Sequence, residues 1–194
     1  MKIIFATHNK NKLKEVQAFL PDNIELLSLE DIDCNEPIEE TEKTLEGNAA
    51  LKANYVFKKY GYPCFADDTG LEVDALNGAP GVYSARYAGE EATDADNRKK
   101  LLQTMADQTI KDARFRTVIA LRLSADTILY FEGVCNGEIL EAERGTEGFG
   151  YDAIFQPKGF NKSFAEMDID AKNKISHRGK AILDLSNYFQ KPPL

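Results

Sequence analysis

The stretch ARFRTVIALRLS, residues 113–124, constrains this chain more than any other. Phe115, Thr117, Ile119, Leu121 and Leu123 recur at every second position, the period at which strand side chains return to one face of a sheet. ILYFEGVCNGEIL continues the strand signal over residues 128–140. The short link at Ser124-Ala125-Asp126 predicts an antiparallel hairpin between the two. A chain with a hairpin this long must build a sheet and cover it.

The cover is read from the spacing elsewhere. Ile3 to Ala6 and Ile24 to Leu29 predict strands. Between them LKEVQAFL sets Leu13, Val16, Phe19 and Leu20 at helical spacing, stopped by Pro21. A second helix is predicted from about Thr44 to Tyr60, ended by Gly61. A third begins at Thr93 or Asp94 and runs to about Met105. Ser176 is placed as the cap of a final helix to about Phe189, with Pro192 and Pro193 beyond it. Residues 30–43 are acidic and irregular. This order predicts an α/β fold: an elongated mixed central sheet flanked by helices, in two lobes, with residues 1–194 as a single domain.

PCFADDTGLEVD, residues 63–74, sets two carboxylates side by side. The apolar runs predict strands at 63–66 and 71–73 around an Asp-Asp-Thr-Gly turn. Successive strand side chains point to opposite faces, so Asp67 and Asp68 are not expected to share one job. Like charges this close repel unless a cation or hydrogen bonds intervene. Two readings stand here: turn aspartates that end a strand, or a metal-binding or general-base carboxylate at the strand's C-terminal edge.

Composition narrows the chemistry. The chain carries 32 acidic against 24 basic residues, a net charge of −8. That excludes a general nucleic-acid binder and leaves room for one basic pocket for a single anion. With only His8 and His177 a multi-histidine metal site is excluded, and without a CxxC pair among Cys34, Cys64 and Cys135 neither a disulfide framework nor a structural zinc site is suggested. Any metal would take oxygen ligands, which favours magnesium or manganese. The N-terminal apolar run is too short for a signal peptide, and no stretch is long enough to span a bilayer. The expectation is a cytoplasmic protein with no membrane partner.

Three further segments carry candidate chemistry. In FATHNKNKLKEV, Lys10 and Lys12 place positive charge at a helix start, which is unfavourable for the helix dipole unless an anion is bound. KNKISHRGKA repeats the anomaly with His177 and Arg178, and adds Lys172 and Lys174. In GTEGFGYD, glycines allow close backbone approach, Phe149 or Tyr151 can stack on a flat ring, and Asp152 can bond a base edge or a partner loop. Solvated first turns and aromatic core packing account for any one of these alone.

Taken in order, ATHNKNKLKEV, ADDTGLEVDALNGAPGVYSARYAG, GFGYDAIF and ISHRGKA resemble the inosine/xanthosine triphosphate pyrophosphatase family over residues 3–183. The resemblance implies magnesium-dependent hydrolysis of ITP, dITP or XTP to the monophosphate and pyrophosphate. It also implies a cleft between two lobes and a homodimer. Carried over by position, Asp68 is the proton acceptor and a metal ligand, and Glu40 the second metal carboxylate. Thr7, His8, Asn9, Lys10, Asn11 and Lys12 form the triphosphate loop. Lys52 faces phosphate, and Thr69 contacts substrate. Phe149, Gly150, Tyr151 and Asp152 read the base, and Lys172, His177 and Arg178 are the C-terminal contacts. Asp67 is expected to face away from the metal, bonded to backbone or a neighbouring loop, or to reach it only through water. Family members often carry glycine where His8 stands and serine where Thr69 stands. The alternatives are a Maf-like pyrophosphatase of other modified nucleotides and a non-catalytic nucleotide-binding module.

Overall fold

In the computed structural model, which describes residues 1–17 and 19–190, the strands belong to one sheet. They are β1 (Lys2–Phe5), β2 (Glu25–Leu27), β3 (Cys64–Val73), β4 (Pro80–Gly81), β5 (Asp112–Arg122), β6 (Ile128–Ile139) and β7 (Phe155–Pro157). The order is β2-β1-β3-β5-β6-β7, with β4 also on β3. β1 runs parallel to β2 and β3, while β4 is antiparallel to β3 and β7 to β6. β5 and β6 are neighbours joined only by residues 123–127. That link is too short for a crossover, so they form the antiparallel hairpin.

The helices are α1 (Lys10–Gln17), α2 (Leu45–Tyr60), α3 (Asp94–Met105), α4 (Ile169–Ile175) and α5 (His177–Gln190). Local chemistry sets their ends. Thr44 accepts from the Gly47 N–H at 3.0 Å to start α2, and Gly61 closes it at φ 73°, where glycine has no Cβ to clash. Thr93 and Asp96 form a reciprocal capping box on α3. No helix among the described residues is long and apolar enough to cross a membrane.

The chain divides into two units. The first comprises Met1–Asp68, Thr117–Gly133 and the residues from Arg178; the second comprises Thr69–Arg116 and Val134–His177. The first unit buries both faces of β1 and of its parts of β3 and β5. Ile3, Phe5, Phe65, Ile119 and Leu121 pack with Val16 of α1 and Ala181, Ile182 and Leu185 of α5. Ile4, Ala6, Cys64, Ala66 and Ala120 pack with Ala49, Ala53 and Val56 of α2. Double burial is why β1 and the start of β3 read as continuous apolar runs rather than alternating ones. The second unit has its own core of Leu71, Val73, Leu101, Met105, Cys135, Tyr151 and an aromatic group of Phe115, Phe155 and Phe164. Phe115 meets Phe155 edge-on at 4.7 Å.

Two elements differ from expectation. Residues 63–66 and 71–73 are not separate strands about a turn; β3 runs unbroken through Asp67, Asp68, Thr69 and Gly70. Gly70 belongs in the strand because β4 comes close there: a Cβ at that position would lie 2.6 Å from the Gly81 carbonyl oxygen. Helix α4 was not expected at all. Its buried residues are the polar Lys172 and Asn173, so it has no apolar stripe to read. Pro192 and Pro193 lie outside the described residues.

Candidate active site

In the first unit the alternation of β3 sets its two carboxylates. Phe65 packs toward α1 and α5, and Ala66 toward α2. Asp67 continues the first face and Asp68 the second. Asp67 is 1% exposed. Its Oδ1 accepts from Lys12 Nζ at 2.8 Å and its Oδ2 from Arg178 Nε at 3.2 Å. Arg178 Nη1 also donates to Glu15 of α1. On the other face Asn48 Nδ2 donates to Asp68 Oδ2 at 3.1 Å, and Lys52 Nζ lies 3.8 Å from Asp68 Oδ1. Lys52 also donates to Glu40. Asn48 and Lys52 are one turn apart on α2, so they meet the same strand face. The Asn48 Oδ1 accepts from the Glu42 N–H at 2.9 Å and so ties the acidic loop to the helix.

These neighbours separate the two carboxyls. Burial pushes Asp67 upward, but Lys12, Arg178 and Lys52 outweigh it and hold the group well below the ordinary carboxylate range. Burial also pushes Asp68 up, Glu40 adds repulsion, and the more distant Lys52 does not cancel them; its pKa rises to about 6. Burial, with Lys52 and Arg178 nearby, lowers the Lys12 ammonium despite Asp67. Burial opposes the charge of Lys52 too, but Asp68 and Glu40 raise it overall. Lys12, Lys52 and Arg178 face Glu15, Glu40, Asp67 and Asp68. This leaves the cluster one formal negative charge in excess.

The N-terminal loop leads into the same unit. Asn9 Oδ1 accepts from the Asn11 and Lys12 N–H groups at 2.9 and 3.2 Å, so a side chain caps α1. Thr7 Oγ1 accepts from the Asn9 N–H at 3.2 Å. His8 Nε2 lies 3.2 Å from the Glu36 carbonyl oxygen. Lys10 is exposed and pairs with Glu30 at 3.4 Å. Of the two lysines read as an anion cradle, only Lys12 joins the carboxylate cluster.

The second unit gathers the glycine-rich loop. Asp152 Oδ2 accepts from the Phe149 N–H at 2.9 Å and from Lys172 Nζ at 2.8 Å, with Asp152 and Lys172 both buried. The Lys172 ammonium lies 5.0 Å from the Phe149 ring centroid and 5.7 Å from that of Phe164. Gly148 has φ 76°, and a Cβ there would fall 2.1 Å from Asp152 Oδ2, so only glycine fits the loop. Tyr151 is buried and its hydroxyl donates to the Ser84 carbonyl at 2.8 Å, which leaves Phe149, half-buried, as the ring available for stacking. His177 is buried too, stacked on Phe115 with centroids 4.5 Å apart. Thr69 is half-buried in β3.

Sequence reasoning missed Glu15 and Asn48. For Asn48 a signal existed, since it sits four residues before Lys52 in a helix. For Glu15 there was none, because its partner Arg178 is 163 residues away.

A family model described as the Ham1 family matches residues 3–188. A dITP/XTP pyrophosphatase of Christiangramia forsetii is 58% identical over 191 residues, covering 98% of this chain and all of the relative. One of Porphyromonas gingivalis is 50% identical, covering 96% of each. Among solved structures, a HAM1 protein from Coxiella burnetii matches with TM-score 0.92 and 41% identity, over 99% of this chain and 100% of the other. The nucleoside-triphosphatase / dITP/XTP pyrophosphatase of Mycobacterium abscessus matches with TM-score 0.79 and 40% identity, over 95% and 98%.

Proposed function

The chain belongs to the Ham1 family, and from that premise we propose that it is a dITP/XTP pyrophosphatase. It hydrolyses non-canonical purine nucleoside triphosphates to the monophosphate and pyrophosphate and so removes them from the nucleotide pool. The observation that carries this reading is the split pair on β3: Asp67 held ionised by two cations, Asp68 raised to about 6. Two adjacent carboxyls whose surroundings push their proton affinities apart are the mark of an acid–base centre.

Glu40 and Asp68 fit a magnesium ion. Among the described residues no group of three or more His, Cys, Asp or Glu forms a closed cage. Magnesium does not need one, since it is bound through one or two carboxylates together with substrate phosphates. The negative excess of the cluster favours a cation in the same place. When bound, Mg2+ neutralises phosphate charge and polarises the phosphoryl oxygens.

The chain's own groups do the rest. Asp68, with a pKa near 6, is mostly ionised at neutral pH and basic enough to take a proton from the attacking water. That water adds to the α-phosphorus, the α–β phosphoanhydride bond breaks, and pyrophosphate leaves with the bonding electrons. Lys12, Lys52 and the loop from Thr7 to Asn11 gather the triphosphate charge. Asp67 keeps Lys12 and Arg178 in position. Phe149 to Asp152, with Lys172, read the base. Donors aimed at the purine 6-oxo group are left unpaired by adenine, which costs about 1–3 kcal/mol for each buried group. The enzyme works in the cytoplasm as a homodimer.

A pyrophosphate-release assay with Mg2+ across dITP, XTP, dGTP, dATP and dUTP tests the reading. Preference for dITP and XTP over dATP by about 100-fold in kcat/KM is expected. Equal turnover of dATP or dUTP, or release without a divalent ion, overturns it.

A further inference from the structure

We infer that Asp94 and Arg98, one turn apart at the start of α3, are positioning residues that lock the base-reading loop in its selective conformation. The inference rests on the reading that Phe149 to Asp152 recognise the base. Gly150, at the centre of that loop, has φ 60°, in the left-handed region. Its N–H donates to Asp94 Oδ2 at 2.7 Å, and its carbonyl accepts from Arg98 Nη1 at 2.8 Å. The two residues are four apart on α3 and share one helix face, so a single rigid turn grips Gly150 from both sides.

Two observations set this apart from ordinary helix capping. The start of α3 is already satisfied by the Thr93–Asp96 capping box, so the Asp94 carboxylate is not needed there and is spent on the loop. Arg98 Nε also pairs with Glu143 at 3.0 Å, at the upstream end of the same loop. Downstream, Tyr151 is tied to Ser84, and Asp152 to Lys172 and the Phe149 N–H. Gly150, with the widest backbone freedom of any residue type, is the softest joint between these fixed points. Removing the clamp lets Phe149 and the 150–151 peptide groups turn, without touching the carboxylates of β3. The loss therefore falls on substrate affinity and base discrimination rather than on the chemical step.

Steady-state kinetics with dITP and dGTP test this on the full chain. Asp94→Ala and Arg98→Met each raise KM for dITP and lower the dITP-over-dGTP preference by up to about tenfold, with kcat within about threefold. Asp94→Asn keeps an acceptor and Arg98→Lys keeps a donor, so each recovers most of the loss. Unchanged KM and preference in the first two variants overturn the clamp. So does an Asp94→Asn variant that regains thermal stability but not KM and preference. Asp152→Asn run in parallel separates the premises: if it alters base preference while the clamp variants do not, only the clamp fails. If it leaves base preference untouched, the base-loop reading itself fails.

Discussion

On the face of β3 toward α1 and α5, Asp67 meets an ammonium at 2.8 Å and a guanidinium at 3.2 Å. On the face toward α2, Asp68 meets an amide at 3.1 Å and an ammonium at 3.8 Å that it shares with Glu40. The backbone is continuous and both side chains are buried. What differs is the guanidinium beside Asp67, an ammonium one ångström farther from Asp68, and the repulsion of Glu40 on the Asp68 side. That is enough to keep one group ionised throughout and leave the other with a proton affinity useful near neutral pH. A side chain closed by its own partners is structural; one with partners held slightly back is open to substrate, proton or metal.

The comparison breaks first, if it is wrong, on paired substitutions. Asp68→Asn should lower pyrophosphate release by about a thousandfold or more while circular dichroism shows a folded protein; a rate near wild type removes Asp68 from the chemistry. Asp67→Asn should show itself in stability, costing about 3 kcal/mol or more in chemical denaturation because Lys12 and Arg178 lose a buried counter-charge. Unchanged stability there would erase the contrast between the faces.

A pH titration sharpens it. The Asp68 pKa of about 6 in the fold lies above the ordinary carboxylate value of about 3.9. The folded, metal-free protein therefore holds the proton more tightly than the unfolded chain. Its contribution is full below about pH 4 and is lost as pH rises through about 6, a change of about 3 kcal/mol. Denaturation in EDTA from pH 4 to 7 should show wild type falling relative to Asp68→Asn across that window. A constant difference between them contradicts the raised affinity. Smallest is Asn48→Ala, expected to cost about 1–2 kcal/mol by orphaning the Glu42 N–H and one Asp68 bond. A loss exceeding that of Asp67→Asn would mean the α2 face, not the α1 and α5 face, carries the stability.

Much of this was legible in the chain. The hairpin, α2 and α3 were read from period and caps, because those signals are local and strong. The opposite facing of Asp67 and Asp68 followed from strand geometry, yet the strand itself was misjudged: Asp-Asp-Thr-Gly has the composition of a turn. Pairing with β5 and the approach of β4 at Gly70 make it strand, and the partner cations compensate its buried carboxylates. Likewise Lys10 and Lys12 look alike in sequence, and tertiary structure sends one to Glu30 at the surface and the other to Asp67. Tyr151 and Phe149 were equal candidates for a stacking ring until burial and the Ser84 bond removed the first.

Sequence alone determined most of the element order, the α/β class and the opposite facing of the two carboxylates of β3, since backbone periodicity depends only on neighbouring residues. Tertiary structure alone decided the protonation character of those carboxylates and which basic residues serve them. Charge interactions fall off over a few ångströms, and the residues that come that close, Lys12 and Arg178 to Asp67, are 55 and 111 positions away along the chain.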